Sequence, residues 1–138
     1  MEPPNGREVF VFGNGAWIDF EPERSKRWLR DVESAVKTRL PAFMETKAKH
    51  RVPKLFVTPN AQGVLKPPLF SQAQNNLAIM RMEHEMSDWT GQNGYDFLGF
   101  YNATVQAHSP DGTHGSMETN LLKAMMILNW LHALDPDA

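Results

Sequence analysis

Three times along this chain a short run of β-branched and aromatic residues gives way to apolar residues at helical spacing, with crossovers far too long for hairpins. The first run, Glu8-Val9-Phe10-Val11-Phe12, stops at Gly13-Asn14-Gly15 and reads as a buried strand ended by a turn, after which Ala16-Trp17-Ile18-Asp19-Phe20 follows. From Glu23 the spacing becomes helical. Trp28, Leu29, Val32, Val36, Leu40 and Phe43 form one apolar stripe, while Lys26, Arg30, Glu33 and Lys37 face away. Pro41 is expected to kink or divide that helix, because proline removes an amide donor and clashes with the preceding turn. Lys54-Leu55-Phe56-Val57-Thr58 gives a second strand, closed by Pro59-Asn60-Ala61-Gln62-Gly63, and the segment on to Pro67-Pro68 is a loop of the kind that borders sites. A helix is expected from Phe70 to Trp89, a third strand over Tyr95 to Asn102, and a last helix from Met117 to about Leu134. This alternation implies parallel βαβ connections and a three-layer α/β/α fold with a parallel sheet of three βα units. Three parallel strands make a thin sheet with open edges, so the chain is expected to be the later half of a larger doubly wound domain. Its exposed edge strand is a place for self-association.

With 138 residues, 41% of them hydrophobic, the chain suits one domain, 1–138, with one core. No long uncharged apolar run marks a membrane span, and the opening Met1-Glu2-Pro3-Pro4-Asn5-Gly6-Arg7 lacks the layout of a signal peptide. The absence of cysteine rules out disulfides, thiolate metal sites and a Cys nucleophile, and leaves the compartment open. The net charge of −2 is unevenly spread: residues 24–54 hold ten of the fourteen basic residues against Asp31, Glu33 and Glu45, a local charge of +7. A basic face on a long amphipathic helix reads first as solvated surface, so nucleic acid is not the expected partner. The alternative is a non-catalytic remnant or binding module that meets an anionic partner through this helix.

The chemistry gathers at Ser109-Pro110-Asp111-Gly112-Thr113-His114-Gly115, just ahead of the last helix. An imidazole on a glycine-punctuated loop can reach both solvent and substrate. A carboxylate three residues earlier can take its Nδ1 proton, fix the tautomer and stabilise the imidazolium. The same pair also fits a helix-capping carboxylate beside an exposed histidine. The glycines around Asn14 let the backbone approach a ligand, where the Asn14 amide can face a developing oxyanion; a strand-end turn is the plainer reading. His84 lies between Glu83 and Glu85, but Asp88 stands where a zincin pattern needs its second histidine, so a structural role is expected. His108 does not complete a ligand set with Asp111 and His114. Neither a metal nor a cofactor is expected, and no glycine-rich phosphate loop is present.

In their order, Val9-Phe10-Val11-Phe12-Gly13-Asn14-Gly15-Ala16-Trp17, the strand and loop to Pro59-Asn60, and Asp111-Gly112-Thr113-His114 ahead of a helix ending in Asn129-Trp130-Leu131 resemble the SGNH-type acyl esterases. The closest likeness is to their PC-esterase group, which includes the trichome-birefringence-like polysaccharide acetyltransferases and the sialate O-acetyltransferase-like proteins. The resemblance runs from about Glu8 to Leu134, and Asp-x-x-His is its strongest element. It implies a flavodoxin-like SGNH domain acting as an esterase or O-acetyltransferase on an acylated glycan or small ester. His114 would be the base and Asp111 its orienting carboxylate; the oxyanion and substrate-binding reading of Gly13, Asn14 and Gly15 rests on the residues of that turn themselves. The family's nucleophilic serine belongs to a Gly-Asp-Ser block on the first strand, and none of Ser25, Ser34, Ser71, Ser87, Ser109 or Ser116 stands in such a block. That strand would precede Met1, so a truncated gene product or a gene model that begins too late is expected, inactive or nearly so by itself. Family members often work in the secretory pathway, and Asn102-Ala103-Thr104 fits a glycosylation sequon.

Overall fold

The computed structural model describes residues 8–41, 52–107 and 109–134. Its elements are β1 (Phe10–Gly13), α1 (Pro22–Arg39), β2 (Lys54–Val57), α2 (Pro68–Ser71), α3 (Asn76–Gln92), β3 (Asp96–Leu98), α4 (Tyr101–Thr104) and α5 (Met117–Leu134), with one turn of 3-10 helix at Ala16–Ile18. The strands are parallel and lie in the order β1-β2-β3, which makes this a small α/β fold.

Register sorts the side chains between the two faces. Phe12, Phe56 and Phe97 are aligned across the sheet, as are Val11, Leu55 and Asp96 one residue earlier. Alternation along each strand puts these rows on opposite faces. The phenylalanine row meets α1 and α3, whose Leu29, Ile79, Met82 and Met86 form the core with Phe20, Phe56 and Tyr95. Each such aliphatic side chain removed from water contributes roughly 1.5–3 kcal/mol. Aromatic geometry reinforces the layer, Phe56 stacking on Phe97 at 6.4 Å and Phe12 meeting Tyr95 edge-on at 5.8 Å. α5 reaches the other face, where Trp130 Nε1 donates to Asp96 Oδ2 at 2.8 Å. Its hold there is shallow, because Thr119 is the one buried residue along it and Leu121, Met125 and Leu128 are exposed.

Helix ends follow local chemistry. Pro22 sits at the start of α1, where its missing N–H costs nothing, and the helix stops before Pro41 with a last bond from Leu40 N–H to Val36 O. Phe43 lies outside the described residues, as does His108. The helix expected from Phe70 to Trp89 is instead two pieces. Asn75 caps α3 by accepting the Ala78 N–H at 2.9 Å, and Gln74 turns its amide out of the helix to donate to Ala16 O and Asp19 Oδ1. The third strand is shorter than Tyr95–Asn102. After Leu98 the chain leaves the ladder because the Phe100 N–H is taken by Thr58 Oγ1 and the Tyr101 N–H by Glu83 Oε1, starting α4. Ser116 caps α5, its hydroxyl accepting the Thr119 N–H. No helix among the described residues is long and apolar enough to cross a membrane.

Candidate active site

The three strands point their carboxyl ends at one edge of the sheet, the edge where open parallel sheets bind ligands. The chain leaves β1 there through Gly13-Asn14-Gly15 and leaves β2 through Thr58 to Lys66. The Asp111/His114 loop docks on the second of these segments. Gly63 N–H donates to Gly112 O at 3.0 Å, Asn60 Nδ2 to Thr113 O at 3.0 Å, and Lys66 Nζ to Thr113 Oγ1 at 3.0 Å. Gly112 is buried with φ +77°, and a Cβ there would stand 1.9 Å from the Lys66 backbone nitrogen, so the two loops approach as only glycine permits.

Within the loop Asp111 uses both oxygens. Oδ1 accepts the N–H groups of Thr113 (2.8 Å) and His114 (2.7 Å), and Oδ2 accepts His114 Nδ1–H at 2.6 Å. The His114 side-chain bond, followed by the two backbone bonds, holds the Asp111 carboxyl well below the usual carboxylate range. With Nδ1 donating to this carboxylate, the neutral imidazole carries its lone pair on Nε2, and the side chain is 80% exposed.

A cavity of about 340 Å³ opens beside it, lined by Ala16, Trp17, Asp19, Lys66, Phe70, Gln74, Thr113 and His114. Trp17, 95% exposed, and the half-exposed Phe70 give it apolar walls; Lys66, Gln74 and Asp19 give it polar ones. Burial pushes the Lys66 ammonium pKa down, and Asp111 acts in the opposite direction.

Gly13, Asn14 and Gly15 are not among the residues that line this cavity, although the turn leads directly into Ala16 and Trp17 of its wall. Gly15 is set by close packing, since a Cβ would fall 2.2 Å from Pro59 Cγ. The Asn14 amide oxygen accepts the hydroxyl of the fully buried Ser25 at 2.8 Å, and its Nδ2 is buried with no partner among the described residues. No serine among the described residues lines the cavity. Ser71 donates to Pro68 O, Ser109 braces the loop by donating to His114 O at 2.9 Å, and Ser116 serves as the helix cap.

Elsewhere, His84 is exposed on α3, and no group of three metal-ligating side chains occurs among the described residues. The basic stretch is partly neutralised: Lys26 pairs with Glu23 and Glu85, and Lys54 with Glu33. Residues 42–51 of it lie outside the described residues. In the sequon, Thr104 is 2% exposed, and its hydroxyl donates to Phe100 O and accepts the Ala61 N–H. Reading the sequence finds Asp111 and His114 because their pairing is local. It misses Lys66, Phe70, Gln74 and Trp17, which meet across distant segments; the available signal was that the loop after β2 borders a strand end.

Fold and site together define a class: a small α/β protein with an imidazole–carboxylate pair beside a partly aromatic cavity at the carboxyl edge of a parallel sheet. Compared with known protein families, with curated proteins and with solved structures, the chain matches none.

Proposed function

We propose that this chain is a divergent SGNH-type acyl esterase or O-acetyltransferase that carries the Asp–His half of a Ser-His-Asp arrangement, with an acylated glycan or small ester as substrate. The observation that carries the reading is the 2.6 Å bond from His114 Nδ1 to Asp111 Oδ2, which leaves the Nε2 lone pair on an exposed side chain that lines the cavity. Nε2 takes a proton from an attacking hydroxyl supplied by water or by the acceptor alcohol, whose oxygen bonds to the acyl carbon, and returns that proton to the leaving alkoxide, while Asp111 holds the tautomer and stabilises the imidazolium between the two transfers. Trp17 and Phe70 suit the apolar face of a sugar ring or an acyl chain, and Gln74 and Asp19 suit its hydroxyls.

Hydrolysis of p-nitrophenyl acetate by the purified chain tests this reading. His114→Ala and Asp111→Asn are expected to lower the rate by matched factors, on the order of a hundred- to ten-thousand-fold. Unchanged rates in both variants would contradict the assignment.

A further inference from the structure

One cation in the cavity, Lys66, forms no direct ion pair among the described residues, although the Asp111 carboxylate acts on it from farther away. Lys66 Nζ donates to two neutral acceptors, Gln74 Oε1 at 2.8 Å and Thr113 Oγ1 at 3.0 Å, and lies 5.8 Å from the Phe70 ring. No carboxylate among the described residues lies within ion-pair distance of it. An ammonium has three N–H donors, so one is left for whatever enters the cavity. Partial burial disfavours the charged form of Lys66 and lowers its pKa, an effect that the nearby Asp111 charge only partly opposes. Thr113, which Lys66 touches, adjoins the base His114. By contrast Asn14, the amide in the position for an oxyanion donor, has its carbonyl bonded to Ser25 and lies outside the cavity lining.

We infer that Lys66 is a further catalytic residue, whose free N–H receives the acyl carbonyl oxygen as negative charge develops there, and that water activated by His114 is the attacking group. The inference rests on the acid–base reading of Asp111 and His114 and supplies what that pair lacks. In the first step the water oxygen bonds to the acyl carbon as its proton passes to His114 Nε2. The carbonyl π pair moves onto oxygen and is held by the Lys66 ammonium. In the second step the C=O bond re-forms, the ester C–O bond breaks, and the leaving alkoxide takes the proton from His114. Carboxylic acid and alcohol are released, the base is restored, and no bond to the protein forms.

Steady-state and pre-steady-state hydrolysis of p-nitrophenyl acetate by the full chain tests it, with thermal melts confirming that each variant folds. Lys66→Met is expected to lower kcat by about a hundred- to a thousand-fold with little change in KM, since one charge-stabilising donor is removed from the transition state. Lys66→Gln, which keeps amide donors without the charge, is expected to fall similarly and serves should the methionine variant melt. Lys66→Arg should recover part of the rate. Product release should be linear from the first turnover, and intact mass of the quenched protein should show no acetyl adduct. Wild-type kcat in folded Lys66→Gln would overturn the role of Lys66. An acetyl adduct on Thr113 or any serine would overturn the water step. Either result, with His114→Ala still impaired, leaves the acid–base reading standing. Equal rates in the Lys66 and His114 variants and the wild type would overturn both.

Discussion

Asp111 engages three donors within its own loop, and this explains why Asp-x-x-His is legible in the sequence while its neighbours are not. The spacing that lets one carboxylate accept the N–H groups two and three residues on also brings the imidazole of the third residue to its second oxygen. Its ionisation is expected to persist far into acid. The carboxyl is depressed below its unfolded value, so its contribution to loop order is present above the ordinary value of ~3.9 and is lost only as pH falls through the lower folded one. Amide shifts of Thr113 and His114, followed by NMR during acidification, should therefore move well below the usual aspartate range; movement at the usual value would contradict the arrangement. Lys66 gives no comparable signal, being one of fourteen basic residues until the chain folds it against Thr113. Gly112 joins the two. Gly112→Ala puts a side chain at positive φ, which costs roughly 1–2 kcal/mol before the clash with the Lys66 backbone is counted. A lower melting temperature, together with loss of the proposed ester hydrolysis, is expected, and a variant with wild-type values of both would show that the loops can separate freely.

The strands and helices themselves were legible where period and punctuation agree. β1, β2 and α5 lie close to where alternation and helical spacing place them, and α1 begins within a residue of the expected Glu23 and ends before Pro41. The reading fails where side chains capture backbone donors. Apolar spacing across Phe70 to Trp89 conceals the cap at Asn75, and the aromatic run after Tyr95 conceals the Glu83–Thr58 pair that draws Phe100 and Tyr101 into α4. The Thr58 hydroxyl donates to Glu83 and accepts a buried N–H, tying the end of β2 to α3 and to the exit from β3. Thr58→Val keeps the shape and removes both bonds, leaving the Phe100 N–H unpaired. A loss of about 1–3 kcal/mol in urea denaturation is expected, and an unshifted midpoint would contradict the role of this link.

Among the described residues, helix burial is concentrated on one side of the sheet, although Leu55 is itself fully buried on the other. Leu29, Ile79, Met82 and Met86 are fully buried against the phenylalanine row, whereas α5 buries a single threonine on the other face. Hydrogen exchange should reflect this asymmetry: α3 amides are expected to exchange slowest and α5 amides well ahead of them, while equal protection of the two helices would contradict it. The proposed site spans both regimes, since His114 precedes the loosely held α5 while Lys66 and Gln74 belong to segments tied to β1 and β2. The central claim is that this imidazole performs acid–base chemistry on an acyl ester, and it is tested most directly by acetate release from an O-acetylated methyl glycoside, measured side by side for the wild type and His114→Ala. Release by the wild type that falls by about two orders of magnitude or more in the variant is expected; identical release from both proteins would contradict it.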